Sequence, residues 1–199
     1  MSPKDLEKLR KKLTSLRQSP CSMKSVAFRS TGLKYASETD LISGSGAAYY
    51  GGRWNPIRMR AIYASLDPVT AATEAFQQFL NYGFPLSGTI KPRVIAGIEF
   101  KCSFLLDLTQ AANRRSLGIR LDDILKEPWL EKQRNGTPVL TQSIAVQAVA
   151  VGFEGILTFS AQNRKGMNIV IFPDSLDRRS FVRVLSPKDL PPHPTNSGL

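Results

Sequence analysis

Residues 49–55 read YYGGRWN, and the interpretation of the whole chain turns on that stretch. A core strand has little use for Gly51 and Gly52 side by side, since they pack nothing and cost backbone entropy. A plain surface loop seldom carries Trp54 beside Tyr49 and Tyr50. The mixture suits a place where backbone approaches something closely, flat rings stack and a fixed cation holds an anion. Upstream, the Gly/Ser-rich run from Ser37 to Gly52 is expected to be a loop, and before it SVAFRS reads as a short strand ending near Arg29. Downstream, AIYAS (Ala61–Ser65) is a short apolar strand.

Further downstream, DPVTAATEAFQQFLNYG is a helix, with Asp67 as N-cap, Pro68 at its first position and Gly83 as its stop. Arg93–Phe100 and FLLDL (Phe104–Leu108) read as two strands. Residues 113–135 read as short helices with a loop. TQSIAVQAVAVG is a helix starting on a Thr141 cap and ending at Gly152. GILTFS, NIVIF and FVRVL are three closing strands. Strands and helices mix without strict βαβ alternation, so the expected class is α+β. Upstream of everything, Leu6, Leu9, Leu13 and Leu16 form one stripe of an amphipathic helix. It is expected to dock on the domain, on a second copy or on a partner.

The chain has 199 residues, enough for one domain with extensions and for burial of ~70% of the unfolded surface. The expected division is a basic helical extension over 1–22, one domain over 23–188 and a flexible tail over 189–199. The start of the chain is charged from Lys4 and has no apolar h-region, and no apolar run reaches the ~18 residues of a membrane helix. Cys21 and Cys102 fit reduced thiols, so the expectation is a cytoplasmic protein that does not engage a membrane. The net charge is +11, and the first thirty residues hold eight basic side chains against two acidic ones. That front could serve a polyanion or simply keep the helix soluble.

One negative feature is sharper. The only histidine, His193, lies in the Pro/Ser/Gly-rich tail. Ser-His-Asp triads, Cys-His pairs and the common zinc sites are thereby excluded from the folded part, and no metal is expected. Chemistry would have to come from Glu, Asp, Arg, Lys, Ser and Tyr. The run GSGAAY (Gly44–Tyr49) begins like a dinucleotide fingerprint. It fails because Tyr49 stands where Gly or Ala is needed and DLIS before it makes a poor strand.

Taken in order, Arg29, GGRWN, AIYAS, Glu74, LDLTQAANRRSLGI, TPVLTQSIAVQAVAVGFEGIL, Ser160 and NIVIFPDSL resemble the RES-domain family, named for its Arg, Glu and Ser, over roughly residues 25–186. The resemblance implies an ADP-ribosyltransferase-like mixed sheet flanked by helices, here with an N-terminal helical extension. It also implies a bacterial toxin that consumes NAD as substrate, with no prosthetic group, and is held inactive by an Xre-like helix-turn-helix antitoxin. A homo-oligomer stays open, and direct nucleic-acid binding is not expected. Glu74, Arg29 and Ser160 would be catalytic. Arg29, Tyr49, Gly51, Gly52, Arg53, Tyr63 and Asn168 would bind NAD.

Cleavage of the nicotinamide–ribose bond passes through an oxocarbenium-like state that a carboxylate stabilises. The nicotinamide departs neutral, so no histidine acid is required. Arg29 and Arg53 would hold pyrophosphate through their guanidinium forks. Tyr49 or Tyr63 would stack on nicotinamide, and Ser160 would bond the carboxamide or the nucleophile. Pattern alone says otherwise of Glu74, which falls opposite the stripe Val69, Ala72, Phe76, Phe79 and Leu80, beside Ala71 and Gln78, and so on a solvated face. It also leaves Arg53 a structural residue, Tyr63 a core residue and Ser160 a turn cap. Two departures from the family stand out. Pro56–Arg60 lacks the glycine usual there, and Gln162 replaces the arginine common after the serine, leaving Arg164 or Lys165 to stand in. Transfer of ADP-ribose to a protein is the alternative from the same site. A basic nucleic-acid-binding or ribonuclease-type toxin is the alternative of another class.

Overall fold

The computed structural model describes residues 1–81 and 92–192, with backbone alone at 77–81. The helix stop expected at Gly83, the side chains of Gln78, Phe79 and Leu80, and residues 193–199 of the tail, His193 included, lie outside the described residues. The described chain is α+β. Eight helices are present among these residues: α1 Pro3–Leu16, α2 Glu38–Ser43, α3 Ser45–Tyr50, α4 Pro68–Asn81, α5 Ala111–Leu117, α6 Leu121–Leu125, α7 Trp129–Arg134 and α8 Leu140–Ala150. Six strands form one mixed sheet: β1 Cys21–Gly32, β2 Ile62–Ser65, β3 Arg93–Asp107, β4 Gly155–Phe159, β5 Met167–Ile171 and β6 Phe181–Val184.

The sheet order is β1-β2-β5-β4-β3-β6 with a further β1–β3 pairing. β1 runs antiparallel to β3 on one edge of that strand, and β6 and β4 take the other edge. β1 also meets β2 at Phe28 opposite Ser65, so β1, β2, β5, β4 and β3 close on one another as a ring. The long β1–β3 pairing corrects two expectations. β1 does not end near Arg29 but continues to Gly32 opposite Arg93, and the two strands expected in 93–108 are one. The ladder is in unbroken register from Met23 to Gly32, where paired backbone groups satisfy each other, so neither strand has a reason to stop early.

Alternation along the short strands separates two cores. Val170 and Ile156 face a cluster with Leu9, Leu13, Trp54, Ile144 and Phe153. Ile62, Ala64, Ile169 and Ile171 face a cluster with Leu41, Ile98, Phe100 and Val184. The N-terminal helix belongs to the first. α1 starts in a capping box between Ser2 and Asp5 and packs on α5 and α8 with Leu9 and Leu13 buried. Lys12 Nζ donates to the Leu117 carbonyl at 3.0 Å and Arg17 Nε to the Gly152 carbonyl at 2.9 Å. Of the partners open to this helix, the domain itself is the one it meets.

The Ser37–Gly52 run is not a loop. Ser37 caps α2, accepting from the Asp40 N–H at 3.1 Å, and left-handed Gly44 (φ 69°) ends α2 and opens α3. The glycines punctuate helices here, because only a residue without Cβ takes that conformation cheaply. Helix rather than strand therefore precedes GSGAAY. The Thr141 cap is also corrected. Val139 is the N-cap of α8 and Thr141 is buried inside its first turn. The free N–H groups of Leu140 and Thr141 are met by the Glu127 carboxylate at 2.7 and 2.9 Å.

Arg58 has φ 77°, so the turn after GGRWN keeps the left-handed backbone without a glycine. Its N–H donates to the Ala48 carbonyl at 2.7 Å, which holds the turn to α3. A side chain at left-handed φ costs ~1–2 kcal/mol, and β-branching worsens it. Arg58→Val is therefore expected to lose about 1 kcal/mol by urea denaturation and Arg58→Gly to lose nothing. Equal midpoints for the two variants would contradict the strain.

Candidate active site

The site starts from a row of polar residues at one end of the sheet. Ser65 on β2 lies opposite Asn168 on β5, which lies opposite Thr158 on β4. These three continue the face that carries Tyr63, Val170 and Ile156 one step earlier on each strand. Polar side chains thus occupy positions that the period of two turns toward the first core, and Ser65 and Thr158 are buried there. Such groups must be hydrogen-bonded or they cost ~1–3 kcal/mol each.

α4 brings the carboxylate. Asp67 caps it, accepting from Thr70 N at 2.7 Å and from Thr70 Oγ1 at 2.6 Å. The helix packs on β1 and β2 with Ala71 and Ala75 buried, while Val69 is 68% and Phe76 50% exposed. This reverses the face expected from pattern. Two alanines let the helix axis approach the sheet closely, and the described part of the larger apolar stripe, Val69, Ala72 and Phe76, is left outside. Glu74, about one turn after Ala71 and immediately before Ala75, is half-buried. The solvated-face reading of Glu74 is thereby overturned.

The Glu74 carboxylate meets the polar row. Ser160 Oγ donates to Glu74 Oε1 at 2.6 Å and Asn168 Nδ2 donates to the same oxygen at 2.7 Å. Ser160 Oγ in turn accepts from the N–H groups of Gln162 at 3.1 Å and Asn163 at 2.9 Å, so its own hydrogen points at the carboxylate. The 160–166 turn is fixed to α4 as well: Asn163 Nδ2 donates to Thr70 Oγ1 at 2.7 Å, and Gly166 lies so near Thr70 that a Cβ would collide with it. Among the described residues, the hydrogen bonds to Glu74 fall on Oε1, and Oε2 is the oxygen left for a ligand. Gln162, Arg164 and Lys165 are exposed on this turn; Gln162 serves the site through its backbone.

Arg29 lies on β1 beside the same end of β2. Its Nη1 donates to the Tyr63 carbonyl at 3.2 Å, and its Nε is buried with no hydrogen-bond partner. Burial pulls its pKa below the ordinary arginine value; Tyr63 opposes that and neighbouring Arg93 adds to it. No carboxylate pairs with Arg29 among the described residues. A half-buried cation with a buried, idle Nε is a place for an anion.

GGRWN forms a tight turn in which Gly52 bridges Asn55. Asn55 is fully buried, with Nδ2 donating to the carbonyls of Ala47, Pro56 and Met59. Tyr63 Oη donates to Asn55 Oδ1 at 2.7 Å and accepts from Trp54 N at 2.8 Å. A Cβ on Gly52 would come within 2.5 Å of Tyr63 Oη, and one on Gly51 (φ 72°) would collide with Gln133. The close approaches that these glycines permit are to the protein's own side chains. Arg53 Nη1 donates to the carbonyls of Ile124 at 2.8 Å and Glu127 at 3.2 Å. Burial lowers the Arg53 pKa, with Glu74 first among the charges that raise it. Tyr49 is 74% exposed and packs edge-on to Tyr50, with 4.7 Å between ring centres.

The structure thus gathers Glu74, Ser160 and Asn168 at one carboxylate oxygen. Tyr63 links the other residues, with its carbonyl accepting from Arg29 and its hydroxyl against Gly52, and the charge of Glu74 acts on Arg53 next to that glycine. Tyr49 is exposed on α3. Sequence reasoning missed Ser65, Thr158, Thr70, Asn163 and Asn55. For Ser65 and Thr158 the available signal was a polar residue near the end of an alternating strand at a position owed to the core; Thr70, Asn163 and Asn55 lie off the strands and carried none. Among the described residues no group of His, Cys, Asp and Glu is disposed to hold a metal ion, and no helix is long and apolar enough to cross a membrane.

The family model described as RES domain matches residues 26–191. The chain belongs to the RES-domain family. Its fold is similar to that of a chain in the crystal structure of the M. tuberculosis MbcT–MbcA toxin–antitoxin complex. The TM-score is 0.62 at 20% sequence identity, over 92% of this chain and 94% of that one. A search of the curated proteins finds no match.

Proposed function

We propose that this RES-domain chain is the toxin of a toxin–antitoxin pair and that it acts by cleaving the nicotinamide–ribose bond of NAD. The observation that carries the reading is the Glu74 carboxylate, held at Oε1 by Ser160 and Asn168 with Oε2 left for a ribose hydroxyl. As the C–N bond breaks, its electron pair goes to the nicotinamide nitrogen, which leaves neutral. Positive charge develops on the ribose C1 and ring oxygen. A fixed carboxylate at that position favours the transition state over the ground state, which is what accelerates the step. The buried, unpartnered Nε of Arg29 supports a place for the pyrophosphate. Water, phosphate or a protein side chain then attacks C1, and the product distinguishes hydrolysis, phosphorolysis and protein ADP-ribosylation. Membership of the RES-domain family and the likeness to a chain of a toxin–antitoxin complex support the toxin assignment.

Incubating the purified protein with NAD is expected to release free nicotinamide, and inducing the chain alone in a bacterial host is expected to arrest growth. Intact NAD after prolonged incubation, with and without phosphate and with a cell extract as acceptor, would refute cleavage. Arg29→Lys keeps the charge and loses the planar fork. In a Glu74→Gln background, titration calorimetry is expected to show NAD binding weakened by about tenfold or more, on the scale of one charge-assisted hydrogen bond. Equal affinity would remove Arg29 from the pyrophosphate site.

A further inference from the structure

We infer that Ser65 is a positioning residue for Glu74, acting through the amide of Asn168. The inference rests on the proposed role of Glu74 and extends it to a residue outside the Arg, Glu and Ser of the family name. Ser65 and Asn168 stand directly opposite on β2 and β5, so their side chains share a face and meet across the strands. Ser65 Oγ donates to Asn168 Oδ1 at 2.7 Å, and Asn168 Nδ2 donates to Glu74 Oε1 at 2.7 Å. The chain of donors has one direction. With the amide reversed, Asn168 Oδ1 would face Glu74 Oε1, oxygen against carboxylate. The Ser65 hydroxyl accordingly fixes the plane and polarity of the amide, and the amide fixes the carboxylate.

Burial makes the arrangement specific. Ser65 is 3% exposed on a strand paired on both sides, so its hydroxyl reaches Asn168 Oδ1 from the buried side of that half-buried amide. The second donor on Oε1, Ser160, is already committed by the backbone N–H groups of Gln162 and Asn163. Each of the two donors on Glu74 is thus set by a bond behind it, and Ser65 is the side chain that sets Asn168. Without it, the amide rotates about its χ2 and Glu74 is held from one side only. The carboxylate then spends less time in the orientation that presents Oε2 to the ligand, which slows chemistry more than it weakens binding.

The test uses the full chain and the variants Ser65→Ala and Ser65→Thr. The first readout needs no activity. The Asn168 side-chain amide protons, assigned in 1H–15N spectra by their loss in Asn168→Asp, are expected to exchange at least ~10-fold faster in Ser65→Ala, as follows from the loss of a buried hydrogen bond. In Ser65→Thr they are expected to stay near the wild-type rate. The second readout is NAD cleavage: kcat is expected to fall by ~10-fold or more in Ser65→Ala, with KM within ~3-fold, and to recover in Ser65→Thr, the split of an interaction made in the transition state. A Ser65→Ala protein whose amide exchange is unchanged overturns the inference. So does one whose kcat is unchanged, or in which only the melting temperature moves. If wild type cleaves no NAD, the proposed function fails by itself, and the amide exchange alone decides whether Ser65 sets Asn168.

Discussion

Glu74→Gln is expected to lower the rate of nicotinamide release from NAD by at least ~100-fold, the scale of losing one preorganised group that stabilises transition-state charge. The fold is expected to survive. Glutamine keeps the length of the side chain, and its carbonyl oxygen can still accept from Ser160 and Asn168, whose donors converge on Oε1. What changes is the other end of the group: an NH2 donor replaces the anionic Oε2 where the ribose would sit. Loss of rate at an unchanged melting temperature is therefore the expected signature. Near-full turnover in the variant would mean that the carboxylate does no chemistry, and the proposed mechanism would fall with it.

How far the sequence reveals this site depends on which local rule governs each element. The start of α4 is legible, because Asp67 and Pro68 obey the rules for a helix N-terminus and Asp67 accepts from Thr70 as a cap does. β2, β4 and β5 are legible from their apolar runs. The face of α4 is not. Val69, Ala72 and Phe76 mark the larger apolar stripe, yet the sheet takes Ala71 and Ala75, because close approach of backbone to backbone outweighs the area of a Phe when a polar row must also be reached. The glycines of 44–52 mislead in a similar way, since a left-handed stop between two short helices and a loop call for the same residue. The merging of two expected strands into β3 follows from its partner: β1 pairs with it as far as Gly32, a non-local fact that no window of sequence contains.

α8 shows the same limit and leads to the largest expected loss of stability. The carboxylate that meets its first N–H groups is that of Glu127, 13 residues before Leu140. The side chain of Glu127 is 2% exposed, and it accepts from Lys132 Nζ at 2.8 Å, Leu140 N at 2.7 Å, Thr141 N at 2.9 Å and Thr141 Oγ1 at 2.8 Å. Burial opposes its charge. Lys132 and the donors of Thr141 and Leu140 together outweigh that and hold the carboxyl below the ordinary glutamate value. Glu127→Ala removes every one of these bonds, strips the first turn of α8 and leaves Lys132 without its partner. The expected cost is about 3 kcal/mol. Removing one partner of a buried pair costs ~3–5 kcal/mol, and the lower end applies because Lys132 is 37% exposed and recovers water.

The pH dependence has a definite sign. A glutamate whose folded pKa is depressed stabilises the fold fully above its unfolded pKa of ~4.3, and that contribution is lost as the pH falls through the folded value. Glu127→Gln keeps one acceptor but no charge, so its deficit in urea denaturation is expected to be present at pH 7 and to shrink below about pH 4. A deficit of the same size at pH 7 and pH 3 would assign the loss to shape rather than charge. The Glu127 carbonyl also accepts from Arg53 Nη1, so the residue that starts α8 helps hold the GGRWN turn. The Ala variant keeps that carbonyl but releases the segment that carries it from Lys132 and the start of α8, and is accordingly expected to speed proteolytic cleavage after Arg53 as well as to unfold sooner. Protection at Arg53 equal to wild type, in a variant destabilised as expected, would separate the turn from the helix cap.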